Sequence, residues 1–494
     1  MDKNYDNDEE KPRGVTKSGE ILSAGLGADV KATVSRRHFL RTSSIAAAGL
    51  ALAACAPAAP AAPAAEAAPA PGGISGKEGV LWGLEYDPHV EAYNRLAGLF
   101  KEKTGASLVV EPQGWPLQTK LISALAAGTQ PDVVCAMGKV LAPLHMAKAL
   151  MPLKESVFNF NKVNPDTDFI GDGIGAYSWD GDIYGIPTEV NGCGSMVNVP
   201  VDDIEKLGLT KDFPPGNGKT IFDSYDQLFE IAEKLKIEKD GKVERWGLTS
   251  KGWDAQSYLG IIRSILAKDG MDWWDNVGKK FNVNSDAGIK AMQLFAETPV
   301  KMGIETELDQ NSVDACLAGK AAIGRGNGSP TVQGRENGFN YYLVAAPKTG
   351  PDMPSYVGEA GWGFIAPKTA KNPEIAIEFL RYMCTIDGQR GFSAIYGGIC
   401  PAWKGLLGDY KHFKDSDPNS PNVKCVEVFT SVLLPLTKFY GEGFGYAADI
   451  DKGAGETCSE VRLGKLTAAE GAKQLQEKYE AGYKQYLSDL KAVT

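Results

Sequence analysis

The sequence predicts an α/β protein with two alternating halves, and three features carry that prediction. Strand and helix signals alternate from Val80 to Cys135, a second alternation runs from Ser224 to Ile323, and Gly or Pro punctuates nearly every junction. Short apolar strands linked by helices imply parallel sheets with crossover connections.

Ahead of these halves lies a stretch that is expected to be removed. Arg36 and Arg37 precede the Ala-rich run Ile45 to Ala54, the pattern of a twin-arginine secretory signal. That run is about half the length a membrane-spanning helix needs. Leu52-Ala53-Ala54-Cys55 resembles the bacterial lipobox, in which the cysteine is lipidated and becomes the mature N-terminus. Each buried methylene of such a lipid contributes about 0.8 kcal/mol, so several chains tether the protein durably to a membrane. Residues 1–54 therefore read as a twin-arginine lipoprotein signal peptide, and residues 55–76, mostly Ala and Pro, as a semi-stiff tether.

The folded body opens with the buried-strand run Val80-Leu81-Trp82-Gly83-Leu84 and a helix carrying Tyr93, Leu96, Ala97 and Phe100 on one face. Gly105 stops that helix, Ser107 to Glu111 is a second strand, and Leu117 to Ala127 a second helix. Pro131-Asp132 leads into the strand Val133-Val134-Cys135. Asp180-Gly181 is a hairpin turn before Ile183-Tyr184-Gly185-Ile186-Pro187, and Gly194 to Asn198 is another short strand. Ser224-Tyr225-Asp226-Gln227 is a capping box whose helix presents Leu228, Ile231, Ala232 and Leu235. Trp246 to Thr249 is strand-like, with helices expected over Gln256 to Ala267, Asp286 to Met302 and Asn311 to Ala318. Gly319 to Ile323, Tyr341 to Ala345 and Gly361 to Ile365 read as strands. Asn372-Pro373 begins a helix with Ala376, Phe379, Leu380 and Met383 inward. From Pro421 onward the pattern is mostly helical, ending with the capping box Thr467-Ala468-Ala469-Glu470 and a helix to about Lys491.

Composition narrows the function. Cleavage before Cys55 leaves 440 residues, enough for two cores, and removes 8 Lys/Arg and 7 Asp/Glu, which shifts the net charge from −10 to −11. An acidic surface argues against nucleic acid and anionic lipid. The seven remaining cysteines (135, 193, 316, 384, 400, 425, 458) form no C-x-x-C pair, and His89, His145 and His412 are far apart in sequence. No metal site and no cofactor are expected, although an exported chain has the chance to form disulfides.

Five segments then resemble, in order, the family 1 extracellular solute-binding proteins of ABC importers. They are Leu121 to Val134, Tyr184-Gly185-Ile186-Pro187, Ser224 to Leu228, Ala318-Gly319-Lys320-Ala321-Ala322, and Lys368 to Arg381. The resemblance spans about Gly79 to Leu487, and departs where Met196-Val197-Asn198 stands in place of a Tyr-Asn common among relatives. It implies a two-lobed, periplasmic-binding-protein-like α/β fold of class II type, hinged, with a ligand cleft between lobes. Lobe 1 would comprise 77–190 plus about 346–400, and lobe 2 would comprise 191–345 plus about 401–494. It also implies a monomeric receptor outside the cytoplasmic membrane that captures a carbohydrate, an oligosaccharide above all, for an ABC permease.

In such folds the ligand lies at the carboxyl ends of strands, and sugars call for aromatic faces and polar groups that bond adjacent hydroxyls. Glu85 and Tyr86 follow the first strand, Trp115 the second, and Met137 and Lys139 the third. Asn191 stands at the first crossing between lobes. In the second half Trp253 and Gln256 follow Thr249, and Arg325 and Asn327 follow Ile323. Glu359 and Trp362 lie at a return crossing, and Tyr446 in an aromatic Gly-rich loop. Trp82, Trp273 and Trp274 read as packing. The competing reading is an exported polysaccharide-acting enzyme, hydrolase or lyase, with Glu85, Asp87 and Glu359 as acid/base carboxylates. Against it, the sequence has no nucleophile elbow, no Ser/His/Asp grouping and no metal set.

Overall fold

A computed structural model describes residues 73–114, 117–138, 141–190, 196–209, 222–275, 277–326, 340–347, 349, 361–393, 400–409 and 447–493. In chain order, β1 (Glu78–Leu84), β2 (Ser107–Gln113) and β3 (Val133–Met137) alternate with the helices Asp87–Thr104 and Leu117–Ala127. The hairpin β4 (Ser178–Trp179) and β5 (Asp182–Ile183) turns on Asp180 and Gly181, both at positive φ. Short strands β6 (Ile186–Pro187) and β7 (Glu189–Val190) precede the second half. There β8 (Met196–Pro200), β9 (Ile237–Lys239) and β10 (Lys242–Thr249) come first. They are followed by β11 (Trp274–Asp275), β12 (Lys280–Phe281), β13 (Ala321–Gly326) and β14 (Tyr341–Ala345). Finally β15 (Trp362–Ile365) and β16 (Cys400–Pro401) return to the first half.

Among the described residues two five-stranded sheets result, in the orders β2-β1-β3-β15-β6 and β14-β8-β13-β10-β9. The expected parallel pairing holds for β1 with β2 and β3, and for β10 with β13. β15 against β3 and β8 against β13 are antiparallel. The reason for β15 is connectivity: it enters the first sheet after β14 of the second.

The periodicities find their partners. Tyr93, Leu96 and Phe100 are buried, and Phe100 meets Phe379 edge-on at 5.4 Å, so the helices Asp87–Thr104 and Pro373–Met383 share a core. The helix Tyr225–Leu235 buries Leu228, Ile231, Ala232 and Leu235, with Ser224 Oγ accepting from the Gln227 amide. Its reciprocal arm lands one residue early, since Gln227 Oε1 accepts from the Asp223 amide. Trp273 and Trp274 are buried in the second core. The continuous helix expected over Asp286 to Met302 is instead Asp286–Met292, a π-turn over Gln293–Glu297, and Thr298–Lys301. Pro299 supplies the cause, because it cannot donate to the carbonyl four residues back and its ring crowds that turn.

The edge strand β14 joins the two cores. Leu343 and Ala345 belong to the first apolar cluster, while Val344 and Ala346 belong to the second. Residues 401–409 remain with the first core through Ala402, Trp403 and Leu407. Of the cysteines, Cys135, Cys316, Cys384 and Cys458 are buried and unpaired, and burial pushes the Cys316 thiol up to about 12. Among the described residues no helix is long and apolar enough to cross a membrane.

The Pro131-Asp132 step has a measurable role. The Asp132 carboxylate accepts from the Val80 amide (2.9 Å), the Asn372 amide (2.7 Å) and Asn372 Nδ2 (3.1 Å), tying β1 to the start of the helix Pro373–Met383. Asp132→Ala leaves two backbone donors without that acceptor, at about 1–3 kcal/mol each when buried. The expected loss is roughly 2–4 kcal/mol, checked by chemical denaturation of the mature chain.

Candidate functional site

The first wall is built at the carboxyl ends of β1 and β3 and the start of antiparallel β15. Tyr86 caps the helix Asp87–Thr104 and sets its ring edge-on to His89 at 5.5 Å. Trp362 approaches the same imidazole from β15 at 5.2 Å, and pairs in register with Met137. Glu85 is exposed beside them, its amide bonded to the Gln113 carbonyl. Its carboxylate and the Lys120 ammonium lie 3.6 and 3.5 Å from where a β-carbon on Gly114 would stand, so polar groups of both signs meet there.

His89 was not among the expected site residues. It is buried, its Nδ1 lies 3.2 Å from the Tyr93 hydroxyl, and burial lowers its imidazole to about 3, so it sits there neutral. The Tyr86, His89, Tyr93 spacing along one helix face was the available signal. Tyr86, Met137 and Trp362 are each more than nine-tenths buried. The sequence expected loop residues; the structure makes them the packed rim of this sheet end.

The second wall stands at the carboxyl ends of β10 and β13. Trp253 is half-buried at the end of the loop 250–253, which joins β10 to the helix Asp254–Leu266. Its indole nitrogen lies 3.2 Å from the place of a β-carbon on Gly326, so only glycine at 326 leaves the ring where it is.

Two of the expected residues are placed inside the second half. Gln256 does not face a loop space: it is buried in the first turn of that helix, with Nε2 directed at Asp451 Oδ1, 3.5 Å away. Arg325 lies inside β13, 1% exposed, with its guanidinium between the rings of Tyr225 (5.1 Å) and Phe295 (5.2 Å). The cause is alternation along the strand, which puts residue 325 on the face of Ile323 and the second core. Among the described residues its three guanidinium nitrogens find no acceptor, and the nearby Glu305 offers charge rather than a hydrogen bond. Trp115, Lys139, Asn191, Asn327, Glu359, Tyr446 and the lipidation candidate Cys55 lie outside the described residues.

Beneath the loop 250–253 the charges are dense and buried. Arg462 bonds Asp254 at 2.7 Å and Glu307 at 2.5 Å, and Lys251 pairs with Glu307 at 3.1 Å. Glu305 accepts from Ser250 Oγ at 3.3 Å. Burial pushes its carboxyl up to about 7 against the pull of Arg462 and Arg325. Among the described residues no group of three or more His, Cys, Asp or Glu is placed to hold a metal ion.

Comparison with known proteins gives a consistent picture. A family model described as bacterial extracellular solute-binding protein matches residues 96–418. No curated protein sequence matches. Among solved structures, UgpB from Mycobacterium tuberculosis in complex with glycerophosphocholine is 17% identical. It covers 83% of this chain and 98% of its own, at a TM-score of 0.66. An ABC transporter solute-binding protein from Thermotoga lettingae TMO bound with alpha-D-tagatose is 20% identical, with 82% and 100% covered and a TM-score of 0.65. The maltose/maltodextrin-binding domain MalE from Bdellovibrio bacteriovorus bound to maltotriose is 18% identical, with 82% and 99% covered and a TM-score of 0.62. At these identities the likeness is one of fold.

The Glu305 carboxyl, raised from its ordinary 4.5 to about 7, makes stability depend on pH. Between those values the folded chain keeps a proton that the unfolded chain has released, so stability falls as pH rises through the window. Glu305→Gln abolishes this contribution. Relative to that variant, the parent protein should lose on the order of 3 kcal/mol between pH 4.5 and 8, measured by denaturant unfolding at each pH.

Proposed function

The chain belongs to the bacterial extracellular solute-binding proteins, and on that premise we propose that it captures a carbohydrate outside the cytoplasmic membrane and hands it to an ABC permease. The observation that carries the sugar reading is the half-buried Trp253 at the carboxyl end of the second sheet. At the matching end of the first stand the exposed Glu85 and the Tyr86–Trp362 rim. An aromatic face and an acidic acceptor are the two groups a polyhydroxylated ring calls for. The sugars in the structures of similar fold, alpha-D-tagatose and maltotriose, support the same class. Trp115, Lys139, Asn191, Asn327, Glu359 and Tyr446, expected from the sequence, are included in the proposed site.

Capture is a population shift. A ligand touching both lobes makes contacts in a closed arrangement that an open one lacks, which calls for a hinge between the two halves. The protein is a binder rather than an enzyme in this reading, and acts as a monomer without cofactor. Twin-arginine export and a lipid on Cys55, with the Ala/Pro tether between lipid and body, place it at the outer face of the membrane.

A thermal-shift screen of the mature chain against neutral mono- and oligosaccharides tests the class, since ligand at 100 times its dissociation constant stabilises by about 2.7 kcal/mol. Stabilisation by none of them, or new reducing ends after incubation, would turn the reading over. Trp253→Ala is expected to weaken the sugar found by about tenfold or more in calorimetry, the scale of a buried aromatic anchor. Small-angle scattering should show compaction on ligand addition. In cell fractionation the parent protein is expected with membranes and Cys55→Ser in the soluble extracytoplasmic fraction.

A further inference from the structure

The loop 250–253 is enclosed by a ring of polar contacts that closes on itself. The Gly252 amide donates to Asp254 Oδ2 (3.0 Å), and Asp254 Oδ1 accepts from Arg462 Nη2 (2.7 Å). Arg462 Nε donates to Glu307 Oε2, and Glu307 Oε1 pairs with Lys251, the neighbour of Gly252. Lys251 Nζ also bonds the Leu308 carbonyl, while the Lys251 carbonyl accepts from the Ser312 amide at 2.9 Å.

Every member is local to this sheet end except one. Arg462 is the last residue of the helix Ala447–Arg462, 208 positions beyond Asp254, and its side chain is 1% exposed. It is the one member that bonds both carboxylates, and it also lies over the Phe295 ring at 5.7 Å. Without it, buried Glu307 would keep only Lys251, whose side chain is 32% exposed, and buried Asp254 would keep no cationic partner among the described residues. Such a pair cannot keep its geometry, because an uncompensated charge in a dry interior protonates or moves toward water.

We propose that Arg462 is a positioning residue for ligand capture: through Asp254 and Glu307 it fixes the loop 250–253 and so holds the Trp253 ring in place against Gly326. The consequence for binding rests on the reading of Trp253 given above, whereas the consequence for the loop does not. The helix that carries Arg462 follows directly on Tyr446, so the C-terminal segment and the Trp253 loop are locked to one another.

The test uses Arg462→Met, close in length and without charge, with Arg462→Lys as the conservative variant. In hydrogen–deuterium exchange on the mature chain, Arg462→Met should lower protection of the Gly252 and Ser257 amides by about tenfold or more, with the strands of the first sheet unchanged. Arg462→Lys should fall between. Uniform loss of protection across the chain would mean a general structural role, and unchanged exchange at 250–257 would overturn the proposal. For binding, maltotriose is the probe in a double-mutant cycle with Trp253→Ala. Arg462→Met should weaken it by about tenfold in the parent background but by less than about twofold when Trp253 is already absent. Equal losses in both backgrounds would overturn the positioning role. Failure of maltotriose to bind the parent chain would exclude that sugar only, the cycle then being run on the sugar found in the thermal-shift screen while exchange decides the loop assignment.

Discussion

Strand β15 is the constraint on which the first half of the molecule depends. It pairs with β3 from Trp362↔Met137 to Ile365↔Val134 and with β6 on its other side, so the sheet β2-β1-β3-β15-β6 has no continuous middle until residue 365 has arrived. That ladder sets Trp362 beside Met137 and His89, and the three bonds of Asp132 then fix where the following helix starts. Contacts of this sequence separation carry a large loop-closure cost before they contribute stability, which makes slow assembly the expected behaviour of this half.

The two halves solve their interiors differently. The first core is largely aromatic, with Phe100, Phe364, Phe379 and Phe392 packed edge to face, and its buried Arg381 pairs with Glu378 at 2.6 Å. The second holds Arg325, Arg462, Asp254, Glu305 and Glu307 within or against its apolar shell. Burying this many charges is costly, and removing one partner alone would leave another charge uncompensated in the interior. Among the described residues, the edge strand β14 contributes to both halves, its alternate side chains serving alternate cores.

Local signals were the legible part of the sequence. The helix Leu117–Ala127 and the Thr467–Glu470 capping box stand as their patterns require, because period and cap chemistry are properties of a few adjacent residues. The direction of β15, the burial of Arg325 and the Asp254–Arg462 pair are not local. They depend on which distant segment arrives alongside, and nothing within one window of residues encodes that. The π-turn at Gln293–Glu297 stood between these cases, since Pro299 was visible but its effect on a helix that has a core to cover was not. Of the candidate site, Glu85, Tyr86, Met137, Trp253 and Trp362 gather at the ends of the two sheets, while Gln256 and Arg325 turn inward.

The buried thiols give the protein an internal clock. Cys135 and Cys384 lie in the first core and Cys458 in the second, with Cys316 under β13, all held protonated by burial and out of reach of alkylating reagents. A thiol in that state reacts only during the moments when its own half comes apart. The sequence of modification among these four sulfurs is therefore a record, written half by half, of the order in which the molecule breathes.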